Sequence, residues 1–371
     1  MKPLPLLLGL SLTANSLVVG QENSSYSDPV GYHSIDFQGG SDTGFSLPLF
    51  RDRVEQGLIQ SVDAGTSTIT VNFTMTADEY VYQVGSQTDT YFVLVCDGTK
   101  EGGFYTVTDN GTDTLTIDMA GDGTVSDLDG ATIKVFPYWT LGTLFPNGEG
   151  VVKTTDPFSI QSVVFFTNQS ATGVNLPFPL SYLYFDSSND SQDGWYSSAN
   201  FVPGAVVNDT ILSPDTYFVV RNPAGANSSV TLTGEVLIDS LRTPVNKPSS
   251  TEAQDIYIGV PYPVAVSAPE TDLLESGAFT ATTDPFTIQD VVFVFDNGTI
   301  DVNKPFLESY LYFDSSDDAQ DGWYSTSNFV PGASVDDQKI FSSATGLVVR
   351  KPAGSPQGTT FWIFNSPYTA Q

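Results

Sequence analysis

The chain is poor in the residues that build most catalytic and metal centres. Its 371 residues include one cysteine, Cys96, and one histidine, His33. A single cysteine excludes an intrachain disulfide and any cysteine-based zinc or iron–sulfur centre. A single imidazole excludes a histidine-cluster metal site. Basic side chains are scarce as well, 13 against 43 acidic ones, which leaves a formal charge of −30. A surface this negative repels nucleic-acid phosphates and anionic lipid, which argues against both as partners. Apolar runs long enough to span a bilayer are missing too, so no transmembrane segment is expected. There is no G-x-S-x-G, and no glycine loop followed by Lys and Ser/Thr to cradle phosphate. His33 reads as a strand-surface residue, not as a catalytic base.

What is present points to packed β structure. Apolar residues make up 40% and aromatics 12%, enough for hydrophobic cores. The acidic excess is mostly aspartate, 33 Asp against 10 Glu, and Asp favours the turns between strands. Such a charge keeps an exported protein soluble in salty surroundings, where the Debye length shrinks to roughly 3 Å at 1 M. Met1-Lys2, the apolar run from Leu4 to Leu12 and the small residues up to Gly20 have the form of a secretory signal peptide, with cleavage after Gly20 or Ser16. The mature chain is therefore expected outside the cytoplasm: extracellular, on the outer surface or in the periplasm.

An internal repeat dominates the remainder. Residues 156–209 align with 284–337 at a constant offset of 128, with 35 identities in 54 positions. The shared blocks are SYLYFDSS (181–188 and 309–316), DGWYS (193–197 and 321–325) and NFVPGA (200–205 and 328–333). Val163–Phe166 is a continuous apolar run, as in a strand buried on both faces. Tyr182–Phe185 and Trp195–Tyr196 flank a polar loop and predict a hairpin. Upstream, alternation from Thr68 to Met75 and the Asn110-Gly111 turn predict a small barrel or sandwich, inserted in a larger β framework.

The organisation read from these signals is a signal peptide (1–20), an N-terminal β segment (21–57) and a small β-barrel-like domain (58–136). A first β module (137–243), a linker (244–256) and a second module (257–371) follow. The predicted fold class is all-β, a small barrel or sandwich-like insert plus two duplicated sandwich-like modules.

Asp28-Pro29-Val30-Gly31-Tyr32, GSQTDTYFVLV (85–95), DGTKEGGFYTVT (97–108) and PYWTLGTLFP (137–146) together resemble a family of exported β-rich proteins from Verrucomicrobia-type bacteria. The resemblance implies export and a β-rich build; the family brings no reaction, ligand or functional residue with it.

Three candidate chemistries arise from the residues themselves. In the duplicated acidic loops, Asp186, Asp190 and Asp193, and their copies Asp314, Asp318 and Asp321, have the hard oxygens that calcium takes six to eight at a time. The competing reading is a solvated loop whose Asp and Ser bond their own backbone. A second stretch, Asp118–Asp129, matches a calcium loop at several positions but has Ala120 where a ligand is needed, and reads as a β-turn excursion. Tyr184 and Trp195, with their copies Tyr312 and Trp323, are candidate stacking platforms for sugars, or else ordinary core aromatics. Scattered carboxylates would suit a glycoside hydrolase, but the richest acids are duplicated where an active site is unique. Cys96 ends an apolar strand and reads as buried and inert. The expected function is an exported, non-catalytic structural protein of the cell surface or extracellular matrix. The alternatives are a carbohydrate-binding or calcium-dependent adhesion module and, behind it, a secreted carboxylate-dependent hydrolase. The expected partners are extracellular polysaccharide or other surface proteins; no cofactor beyond calcium is expected.

Overall fold

The computed structural model describes residues 29–167, 171–187, 189–315 and 317–368; the expected signal peptide lies outside them. Strands carry the architecture, and the one α-helix among the described residues is a single turn, Leu141–Leu144. The protein is all-β.

Two strands come first, β1 (Val30–Phe37) and β2 (Asp42–Ser46). Six follow: β3 (Glu55–Asp63), β4 (Thr68–Val71), β5 (Tyr91–Val95), β6 (Phe104–Asn110), β7 (Thr114–Asp118) and β8 (Thr132–Pro137). They close as a barrel in the order β3-β4-β7-β6-β5-β8. Period-two alternation sends Ile69, Val71, Leu115 and Ile117 into the barrel core and leaves Thr68 and Thr116 bonded to each other outside, at 3.0 Å. The chain then runs through β9 (Trp139–Thr140), β10 (Val163–Phe166), β11 (Leu180–Phe185), β12 (Gly194–Ser197), β13 (Ile211–Leu212), β14 (Tyr217–Arg221) and β15 (Ser228–Glu235). The last set is β16 (Leu241–Lys247), β17 (Gln254–Gly259), β18 (Val291–Phe295), β19 (Phe306–Phe313), β20 (Gly322–Ser325), β21 (Gly346–Lys351) and β22 (Gly358–Phe364).

Two five-stranded sheets repeat each other strand for strand, β12-β11-β10-β14-β2 and β20-β19-β18-β21-β17. Two-stranded sheets, β1 with β15 and β16 with β22, pack on them through Ile35, Phe37, Val230 and Leu232 in copy 1 and through Leu241, Val245, Trp362 and Phe364 in copy 2. Two boundaries expected from sequence are thereby corrected. The N-terminal β segment is no separate unit: β1 and β2 are strands of copy 1, with the barrel inserted after them. The 244–256 linker is not a free connection either, because β16 takes its first residues and β17 its last, and they pair with β22 and β21. Copy 2 thus begins near Leu241.

Each five-stranded sheet is apolar on both faces. Along β14, Phe218 and Val220 face the core of copy 1, while Tyr217 and Val219 face copy 2. Along β21, Leu347 and Val349 face the core of copy 2, while Val348 joins Tyr217, Val219 and Tyr257 between the sheets. These four residues are buried, worth roughly 1.5–3 kcal/mol per large side chain.

The exposed edges of the two sheets are sealed by exchange across an approximate twofold axis. Asp42 of β2 pairs with Arg221, whose Nε and Nη2 donate at 2.6 and 2.7 Å; Asp255 of β17 pairs with Arg350 in the same way, at 2.6 and 2.8 Å. Asn303 of copy 2 then donates its N–H to Asp42, and Asn175 of copy 1 donates its N–H to Asp255, both at 2.7 Å. The main chain repeats the exchange, Ser46 N–H to Ala344 O at 3.1 Å and Gly259 N–H to Asp215 O at 3.0 Å. Unpaired edge N–H groups that would invite aggregation are consumed in this way.

The barrel is fastened to both copies. Asp122 accepts from Lys100 at 2.7 Å, Tyr105 at 3.0 Å and Arg242 of β16 at 3.1 Å. Burial alone would raise its pKa, but these donors outweigh it and lower it. On the other side, Arg51 holds Asp89 through two bonds, at 2.8 and 3.1 Å.

Candidate functional site

The hairpins β11–β12 and β19–β20 present the twin acidic loops. Asp193 Oδ1 accepts the N–H of Ser187, and Asp321 Oδ1 that of Ser315, each at 2.7 Å. A 3-10 turn opens at Asp190 in one loop and at Asp318 in the other. Behind each turn a tyrosine hydroxyl closes the loop: Tyr196 donates to Gln192 O at 2.6 Å, and Tyr324 to Gln320 O at 2.7 Å. Asp186 faces Lys153 at 3.3 Å, and the N–H groups of Asp186 and Asp314 reach Thr154 and Thr282. The sequence therefore folds each loop around its own backbone, as short Asp and Ser side chains do. Among the described residues no three His, Cys, Asp or Glu side chains gather in a metal-sized group. In the Asp118–Asp129 stretch, Asp118 accepts the N–H of Ala120 at 2.8 Å, and Asp122 is committed to Lys100, Tyr105 and Arg242.

The stacking platforms expected from Tyr184, Trp195, Tyr312 and Trp323 are overturned by burial. Trp195 is 1% exposed and Trp323 2%. Trp195 packs edge-on to Tyr184 at 5.9 Å, and Trp323 to Tyr312 at 5.7 Å, inside the cores of their copies. Burial, seconded by Asp193 and Asp321 respectively, raises the pKa of Tyr184 and Tyr312. The hairpin face that carries these residues is the one turned to the core of its own copy, where Phe145 packs on Trp195 at 5.5 Å and Phe279 on Trp323 at 5.0 Å. Cys96 is half-buried, and burial first and Asp239 second push its thiol up to about 12, far from a reactive thiolate. His33 sits in β1 opposite Leu232, and burial lowers its pKa.

The most exposed aromatic side chains among the described residues stand at the start of each repeat. Asp156-Pro157-Phe158 and Asp284-Pro285-Phe286 place their phenylalanines 97% and 95% exposed. Both turns are built alike. The Asp carboxylate accepts the Phe N–H at 3.0 Å in each copy, and the Asp carbonyl accepts the next N–H but one, from Ser159 or Thr287, at 2.8 Å. Gln161 N–H and Gln289 N–H then bond the buried hydroxyls of Thr154 and Thr282 at 3.0 Å. Ile160 and Ile288, 44% and 43% exposed, stand two residues further on. Proline and the Asp-capped turn fix the loop, so exposing the ring has little conformational freedom to lose on contact.

Comparison with known proteins finds no family, no curated protein and no solved structure that matches this chain.

Proposed function

We propose that this chain is an exported, non-catalytic structural protein of the cell surface or extracellular matrix, which attaches through paired equivalent contact points. The observation that supports this reading is the twin display of Phe158 and Phe286 on rigid turns of two copies locked face to face. A single exposed apolar side chain is ordinary on a soluble surface; its recurrence on an identically built turn in both copies is what favours a contact role. Here the same exposure occurs twice on one frame. Two linked weak contacts to a repetitive surface gain roughly 10²–10⁴ in avidity over one. The exported setting rests on the N-terminal segment and on a net charge of −30, which suits a polar, salty exterior.

The test is to fractionate the producing cells and follow the protein through envelope, matrix and soluble fractions. The wild-type chain is expected in the envelope or matrix. Phe158→Ser with Phe286→Ser is expected to release it to the medium, and each single change to release only part. Recovery of wild type from the cytosol, or full retention of the double variant, would refute the reading.

A further inference from the structure

Where the 80–90 segment of the barrel faces copy 1, the structure leaves an open groove of about 550 Å³. Tyr82, Gln83 and Thr88 enter it from the barrel, and Asn208 and Asp209 from copy 1. The Tyr82 hydroxyl donates to the Asp209 carboxylate and ties the two sides together. No Lys or Arg lines the groove; its other carboxylate, Asp89, is already held by Arg51.

The hydrogen-bonding ledger of these side chains is incomplete in an informative way. Asn208 Oδ1 accepts the N–H of Trp195 at 2.8 Å, which fixes the amide and leaves its Nδ2 donors without a partner among the described residues. Gln83 Nε2 donates to Tyr82 at 3.0 Å and leaves Oε1 open. The Thr88 hydroxyl and the second oxygen of Asp209 are likewise unspent within the described residues. The groove thus offers an oriented amide donor beside a carboxylate acceptor, a further amide acceptor, a hydroxyl and the ring of Tyr82. A sugar hydroxyl both donates and accepts, so neighbouring donor and acceptor groups hold vicinal hydroxyls, and an aromatic ring covers the C–H face. Pockets that use a few placed polar groups commonly lie between structural units, as this one does. A carboxylate with no cation beside it would repel an anionic ligand.

Copy 2 provides an internal contrast. Asp336 stands where copy 1 has Asn208 and accepts the N–H of Trp323 at the same 2.8 Å. That substitution keeps the structural bond but replaces the open donor with a second acceptor. The groove therefore belongs to copy 1 and the barrel alone.

We propose that this groove is a binding site for a neutral oligosaccharide, gripped by Asn208, Asp209, Gln83 and Thr88 against Tyr82. It is separate from the Phe158 and Phe286 turns, so its failure would leave the attachment reading standing. The test titrates the full chain by calorimetry with hexasaccharides of β-1,4-glucan, β-1,4-mannan, β-1,4-xylan, β-1,3-glucan and α-1,4-glucan, and with hexagalacturonate as the acidic control. At least one neutral hexasaccharide is expected to saturate the protein, and hexagalacturonate is not. Asn208→Asp imports the copy 2 residue with its structural bond intact, and Thr88→Trp fills the groove from an exposed position. Each is expected to weaken binding at least tenfold with an unchanged melting temperature, while Asp337→Ala in copy 2 changes nothing. Absence of binding by all five neutral sugars, equal binding of hexagalacturonate, or indifference to both groove variants would overturn the proposal.

Discussion

The twin copies allow a stability experiment whose control is already built into the chain. In copy 2, Asp290 is wholly buried, and its Oδ2 accepts from Lys351 Nζ at 2.7 Å and from Thr280 N–H at 2.9 Å. Its Oδ1 has no partner among the described residues. In copy 1 the equivalent residues are neutral: Ser162 bonds Asn222 Oδ1 at 2.6 Å and accepts the Val152 N–H at 2.8 Å. The same two positions therefore hold an ion pair in one copy and a hydroxyl–amide pair in the other. Removing one member of a buried pair strands a charge and costs about 3–5 kcal/mol. Replacing both is far cheaper, because the desolvation of both charges goes with them. The orphaned Oδ1, a penalty of about 1–3 kcal/mol, disappears as well.

The proposed variants are Asp290→Ser, Lys351→Asn and the two together, each compared with wild type by urea unfolding followed by tryptophan fluorescence. Each single variant is expected to lose about 3–5 kcal/mol. The double variant should stay within about 2 kcal/mol of wild type, because Lys247, the buried amine nearby, loses the attraction of Asp290 and the repulsion of Lys351 together. The coupling between the sites then exceeds about 3 kcal/mol, above the range usual for neighbours. Additive single and double effects would refute the reasoning, since they would mean that the copy 1 solution does not fit the copy 2 site.

Three further outcomes follow from the packing. Tyr217 carries a buried hydroxyl without a partner among the described residues, so Tyr217→Phe should stabilise the protein by about 1 kcal/mol, read as a higher urea midpoint. Gly346→Ala should do the reverse by several degrees in Tm, because its Cβ would lie 1.6 Å from the Tyr217 ring. Burial pushes the Asp215 carboxyl up to about 6, above its ordinary value of 3.8. The fold thus favours its protonated form: the contribution is complete below pH 3.8 and is lost as pH rises to about 6. Asp215→Asn should flatten the stability profile across that window, and an unchanged slope would count against the assignment.

The duplication was legible because 128 residues separate two segments that have hardly diverged, and the hairpins because turn residues interrupt apolar runs. The membership of β1 and β2 in copy 1 was not. Their counterparts β16 and β17 lie 213 positions away where Asp42 matches Asp255, and the barrel intervenes. The dyad-facing residues also differ, Gly44 in β2 against Tyr257 in β17. The Tyr and Trp positions misled for a related reason. Alternation assigns residues to two faces but does not say that water is absent from both, and the face that carries Tyr184 and Trp195 is covered by the rest of copy 1. The groove had no signal at all, since Tyr82 and Asp209 meet only through the fold.

The interface between the copies shows why a duplicated chain need not have duplicated sites. Tyr217 in copy 1 answers Gly346 in copy 2, while Tyr257 in copy 2 answers Gly44 in copy 1. The two tyrosines stack at 5.9 Å and 8°, in space that the two glycines leave open. A symmetric pair would place four tyrosines there, or none, and so overfill or empty the layer between the sheets. Once each copy is fitted to the other in this way, neither can exchange places with its twin, and the barrel inserted in copy 1 meets one defined neighbour. Equivalent surfaces remain at the turns that carry Phe158 and Phe286. Unique surfaces arise where the inserted barrel breaks the symmetry, and that is where Asn208 departs from Asp336. Paired attachment and a single ligand groove are therefore compatible demands on one frame, because they draw on opposite consequences of the same duplication.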